Sequence, residues 1–109
     1  WFAGQSLAGV AEVLERAALL IEPEGAWTQG SYSDGGKACY CLVGAIAVAL
    51  DASPAGAEIW ICKNQIGTRF LGIGRDNWLI NWNDSPERTQ SEVVAKLRGA
   101  AALAREQSQ

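Results

Sequence analysis

From Cys41 to Leu50 the chain carries ten successive residues without a polar side chain, Cys-Leu-Val-Gly-Ala-Ile-Ala-Val-Ala-Leu. A helix that is apolar all round belongs in the middle of a fold. The run is about half of the ~20 residues that cross a bilayer, which makes it core and not a span. The spacing predicts a helix over residues 38–51, with Val43, Ala45, Ile46, Ala47 and Ala49 buried. Gly44 costs helix propensity relative to Ala, which implies close contact with a neighbouring backbone.

Other helices must then cover this one. Leu7, Val10, Leu14, Ala17 and Ile21 recur at helical spacing, with Ser6 as N-cap and Pro23 just past the end. A third helix is expected from Ser53 and Pro54 to about Arg69. Its apolar face is Ile59, Cys62, Ile66 and Phe70, widened by Trp60 and Ile61, although Ile-Trp-Ile also admits a short strand. The segment 77–84 suits one or two helical turns. The last helix has the clearest start: Thr89-Gln90-Ser91-Glu92 is a capping box, and Val93, Leu97, Ala100, Ala101 and Ala104 line one face behind it. The tail after Arg105 should fray.

Between the first two helices, Gly25, Gly30, Gly35 and Gly36 mark turns, so residues 24–37 read as a loop with room for a short β-hairpin. Trp27 in this loop is expected to plug the core from outside, with ligand stacking as the alternative. The expected fold is therefore mainly α: a compact bundle of about four helices with Gly-rich irregular segments, one globular domain over residues 1–109.

Composition narrows the function. Nine Lys plus Arg against twelve Asp plus Glu leave the 109-residue chain at −3, which disfavours duplex nucleic acid as a partner. There is no His, so His-based catalysis and His metal ligands are excluded. Cys39, Cys41 and Cys62 are an odd set, too few for a Cys-only zinc site and ill-matched to a disulfide scaffold. Reduced thiols, no secretory pattern and no membrane span lead us to expect a cytoplasmic protein.

Several motifs occur in a recognisable order: Leu20 to Glu22, Trp27 to Gly30, Cys41 to Ile46, Trp82 to Asp84, then Arg88, Thr89, Glu92 and Val93. In these the chain resembles a family of small uncharacterised proteins from actinobacteria and their phages, a domain of unknown function. The resemblance covers about Leu14 to Ala104, implies a bacterial or phage setting and supplies no chemistry. Between Ile61 and Ile80 the chain departs from the pattern.

Candidate chemistry is sparse. Cys41 near a helix start could be a thiolate, but no base exists in His form, and a small buried thiol is the better reading. Asp34, Asp76, Asp84 and Glu87 lie in expected loops, where they could act as acid and base, hold a cation or cap turns. No spacing among them matches a metal motif. Gly72-Ile73-Gly74, flanked by Arg69 and Arg75, could hold an anion, with Trp78 and Trp82 to stack a base or sugar.

The residues expected to form a ligand surface are Trp27, Thr28, Gln29, Arg69, Arg75, Trp82, Asn83 and Asp84; no catalytic set, metal or cofactor is expected. The competing reading is that Trp82-Asn83-Asp84 ties its loop to the Trp27 loop. The favoured function is a non-enzymatic binding protein for a protein partner or a small anionic ligand such as a nucleotide, with homo-oligomers open to it. The alternative is a small hydrolase or transferase using carboxylates or Cys41.

Overall fold

A computed structural model describes residues 6–30, 33–34, 37–73 and 79–108. Five α-helices dominate it: α1 (Leu7–Ile21), α2 (Leu42–Leu50), α3 (Pro54–Lys63), α4 (Leu79–Asn83) and α5 (Gln90–Ser108). One π-helical turn spans Ile66–Phe70, and two short strands, β1 (Ser33–Asp34) and β2 (Lys37–Tyr40), pair antiparallel. The chain is mainly α, as its periodicity predicts.

The two long helices make the frame. α1 starts on Ser6, whose Oγ accepts from the Gly9 N–H at 3.1 Å. It buries Val10, Leu14, Ala17, Ala18 and Ile21. α5 runs antiparallel to it, since Glu15 pairs with Arg105 while Glu22, the C-cap of α1, pairs with Arg98, earlier on α5. Ala100, Ala101 and Ala104 are buried, and their small side chains let the two backbones approach. The capping box forms as read: Thr89 N–H donates to Glu92 Oε1 at 3.1 Å, and Glu92 N–H donates to Thr89 Oγ1 at 3.2 Å. The end of α1 is tied to the start of α5 by one side chain. Gln90 Nε2 donates to Ile21 O and to Pro23 O, both at 2.6 Å, satisfying carbonyls that a helix end leaves open. α5 continues through Ser108, past the expected fraying point.

α2 lies against α1, α3 and α4. Val43, Ala45, Ile46 and Ala47 are buried, and Ala49 is half-buried. Val48 departs from the all-buried picture at 46% exposed. The helix also begins later than residue 38. Residues Lys37–Tyr40 are strand instead, and Tyr40 exchanges backbone bonds with the Trp27 loop: its N–H donates to Ala26 O at 2.8 Å and its carbonyl accepts from Thr28 N–H at 3.1 Å. A residue bonded on both sides in extended form cannot join a helix. Cys41 is therefore the N-cap.

α3 corrects the expected face. Ala57, Trp60 and Ile61 are buried, whereas Ile59 is 52% exposed and Cys62 is exposed. The reason is a break. The helix stops at Lys63, Asn64 N–H and Nδ2 both donate to Trp60 O, and Gln65 takes a left-handed conformation at φ 54°. The chain then re-enters as the π turn with Ile66 and Phe70 buried. Register is lost across the break, so Ile59 and Cys62 do not share a face with Ile66 and Phe70. Among the described residues, no single helix is long and apolar enough to cross a membrane.

Candidate functional site

The short helix α4 delivers Asn83 into the interior, where it is the only polar side chain fully buried among the described residues. A buried amide must find partners for both ends, or its desolvation is uncompensated. Asn83 finds them on three separate segments. Its Oδ1 accepts from Trp27 Nε1–H at 2.7 Å and from the Leu42 N–H at 3.1 Å. Its Nδ2 donates to Thr28 O at 3.1 Å and to Asp84 Oδ1 at 3.0 Å. One side chain thus joins the Trp27 loop, the first turn of α2 and its own turn.

The neighbours extend this network. Gln29 Nε2 donates to Asn83 O at 2.9 Å and to Ser85 O at 2.8 Å. Asp84 Oδ1 also accepts from the Gly30 N–H at 3.0 Å. Gly30 holds φ at 82°, a left-handed value that side-chain-bearing residues rarely adopt, so glycine is what lets this N–H reach the carboxylate. Trp27 is half-buried and packs on the core with its N–H spent on Asn83. Trp82 is 8% exposed. The Arg88 guanidinium lies 3.9 Å from its ring centroid while Arg88 Nε donates to Trp82 O at 2.9 Å.

Six of the eight residues singled out from sequence therefore come together: Trp27, Thr28, Gln29, Trp82, Asn83 and Asp84. Arg69 does not join them. Its Nη2 donates to Gln107 Oε1 at 2.8 Å near the far end of α5, and ~25 Å of helix rise separates Gln107 from Gln90. Arg75 lies outside the described residues, as do Gly74, Asp76 and Trp78. The side chain of Asp34 is likewise not among those described.

Residues that sequence reasoning missed include Arg88, Ser85, Gln90 and Leu42. Arg88 left a local signal, since it precedes Glu92 by one helical turn and the two pair at 3.0 Å. Gln90 and Leu42 left none, because their partners lie 41 or more positions away.

The reactive groups are restrained. Cys41 Sγ is buried and accepts from the Gly44 N–H at 3.3 Å, taking the role of an N-cap oxygen. Burial pushes its thiol up from the ordinary value, against the lesser pull of the Gly44 bond, so the thiolate is disfavoured. Glu92 is held below the usual carboxylate range, first by its bond from Arg88 and then by Thr89. Among the described residues no group of three or more Cys, Asp or Glu side chains is placed to hold a metal ion.

Surface hollows lie among the described residues, one of about 500 Å³ lined by Glu22, Glu24, Gln90, Ser91, Val94, Ala95 and Arg98, and two smaller ones. One, of about 330 Å³, is lined by Trp82, Arg88, Glu92, Ala95 and Lys96. The other, of about 350 Å³, lies where α1 meets α2 and is lined by Arg16, Leu19, Leu20, Val48 and Ala49.

A model of the family described as a family of unknown function, DUF6197, matches residues 5–103. No curated protein and no solved structure matches the chain.

Proposed function

We propose that this chain, which belongs to the DUF6197 family, is a non-enzymatic protein-binding module whose contact surface is the α1–α2 face around Leu19 and Val48. The observation that carries the reading is the pairing of two exposures. Leu19 is 58% and Val48 46% exposed, and both line the same hollow. A single exposed Leu is ordinary; two large apolar side chains sharing one hollow cost solvation that a partner would recover. Asn83, central to the expected ligand surface, spends its amide on Trp27, Leu42, Thr28 and Asp84, which leaves it little to offer a visitor.

A second reading keeps the anionic ligand and rests on the hollow beside Trp82. Lys96 lines it and joins none of the ion pairs found among the described residues, and Arg88, paired with Glu92, lines it too. A base could not lie on the covered face of Trp82 without displacing Arg88, so the ligand here would be held by charge and not by stacking. Of the groups a hydrolase or transferase would use, carboxylates or Cys41, the Cys41 thiol is buried and its pKa raised.

Capture from a lysate of the encoding cell separates the readings. Immobilised protein should retain a protein partner that Val48→Asp loses without any change in melting temperature. Loss with Lys96→Glu and retention with Val48→Asp supports the anionic reading. A partner indifferent to both variants refutes both.

A further inference from the structure

We propose that the outward face of α1 is a two-fold interface between two copies of this chain. The inference rests on the protein-binding reading above and names the partner. α1 packs on α5 and α2 through its buried residues, which leaves Ala8, Glu12, Arg16 and Leu19 along its outer ridge, each about one turn from the next. The ridge is graded. Its first end is small, with Ala8 exposed and Gly9 half-buried. Its middle carries Glu12 and Arg16, whose side chains are 59% and 61% exposed. Its last end is bulky and apolar, with Leu19, the half-buried Leu20 and, across the hollow, Val48.

A graded ridge of this kind is complementary to itself when reversed. A two-fold axis midway between Glu12 and Arg16 lays α1 antiparallel on the second copy's α1. Glu12 then faces the second copy's Arg16, and Arg16 faces its Glu12. Leu19 and Leu20 fall over the second copy's Ala8 and Gly9, where small side chains leave room for them. Such reciprocity, residue i on j and j on i, is what a closed two-fold interface requires. In one copy alone, Glu12 and Arg16 pair with each other at 2.7 Å as an exposed one-turn pair. Pairs of that kind contribute little and exchange partners readily. Turned outward in alternation, the same four charges hold the register while Leu19 supplies apolar burial. One helix pair buries less than the ~800 Å² per partner of a standard interface, so the dimer is weak, with Kd on the order of tens of micromolar.

The test is sedimentation velocity with native mass spectrometry on the full chain, from roughly 1 to 500 µM, a range that brackets such a Kd. Wild type should pass from monomer to dimer across it. Leu19→Glu should raise Kd at least about tenfold. So should Glu12→Arg and Arg16→Glu singly, since each sets like charges across the axis. The double variant Glu12→Arg/Arg16→Glu restores both cross pairs and should return Kd to within about threefold of wild type. All three positions are at the surface, and a circular dichroism melt verifies that each variant is folded. A wild type that stays monomeric, a dimer indifferent to Leu19→Glu, or a double variant no better than the singles each overturns the proposal. A monomer that still loses a captured partner with Val48→Asp overturns the second copy alone and leaves the protein-binding reading standing. A monomer whose captured partner ignores Val48→Asp sinks both.

Discussion

The side-chain amide of Asn83 takes the indole N–H of Trp27 at 2.7 Å across 56 positions of sequence. That bond closes a network in which Asn83 makes four hydrogen bonds while wholly buried. Asn83→Ala would strand the buried Leu42 N–H and the partly buried Trp27 Nε1 and Thr28 O. Each unpaired group costs roughly 1–3 kcal/mol, so the variant should lose about 3–5 kcal/mol, a large share of the stability of a small domain. Asn83→Asp keeps the acceptor but loses the donor to Thr28 O, and it sets a second carboxylate beside Asp84. It should also be destabilised. Urea titration measures both. If Asn83→Ala unfolds within about 1 kcal/mol of wild type, the network is not what holds the Trp27 loop to α4.

Adjacent residues on α2 should behave oppositely. Ala47 is 3% exposed and Val48 46%. Ala47→Asp places an unpaired charge in the core, where no rearrangement can hydrate it, and should prevent folding or cost more than about 4 kcal/mol. Val48→Asp lies at the surface and should shift stability by about 0.5 kcal/mol or less. Thermal melts of the pair read the orientation of α2 directly. Equal losses at both positions would mean that the helix is rotated or that Val48 is covered.

The start of α5 offers a smaller and cleaner measurement. Thr89 and Glu92 satisfy each other's N–H groups, and Arg88 reinforces Glu92 from outside. Thr89→Ala removes one arm of the box and should cost about 1 kcal/mol, whereas Thr89→Ser should cost a few tenths. Chemical denaturation of the two variants ranks them. A Thr89→Ala variant as stable as wild type would show that the Arg88–Trp82 contact alone fixes the start of the helix.

Most of this fold could be read before any coordinates, for reasons that differ by element. α1 and α5 announce themselves through spacing and caps, which are local properties. α2 does so through apolarity, yet its start at Cys41 depends on Tyr40 bonding to Ala26 and Thr28, a long-range fact with no local mark. In α3 the apolar residues suit two helical faces equally, and the left-handed Gln65 decides between them; nothing in Asn64-Gln65 demands that conformation. The Trp27–Asp84 cluster is legible in the sequence as a grouping. Trp, Asn and Gln in glycine-rich segments serve a ligand and a buried tie equally well, and only the partners of Asn83 tell which way they face. Arg69 lies near Trp82 in sequence, but its π turn carries it to Gln107.

Thiol chemistry should follow burial. Cys62 is exposed, while Cys39 and Cys41 are buried. A disulfide reagent at neutral pH should therefore titrate one thiol quickly and the other two only as the protein unfolds. Cys41 should lag Cys62 even at pH 9, because burial holds its thiol protonated above the ordinary value. Mass spectrometry of the partly labelled chain assigns the order. Rapid labelling of Cys41 in folded protein would contradict its place as the N-cap of α2.

Acid should loosen the α1–α5 frame through Glu15. Its carboxyl is held below the ordinary range by the hydrogen bond from Arg105, which outweighs the opposing effect of burial, with the charges of Arg105 and Arg98 adding to the pull. A carboxylate whose pKa is lower folded than unfolded adds stability that is complete above the unfolded value, about 4.3 for Glu, and is lost as pH falls through the folded value. Glu92, held down by Arg88 and Thr89, acts in the same direction. With no His in the chain, no imidazole titrates between pH 5 and 8, so the melting temperature should be nearly flat there and fall below about pH 4.5. Glu15→Gln tests the assignment. It should melt below wild type at pH 7, by a modest amount because the pair is half-exposed, and the gap should narrow as pH falls through the folded value, where wild type loses the same charge. A gap that stays constant through the whole acid transition would place the contribution of Glu15 in packing and not in its charge.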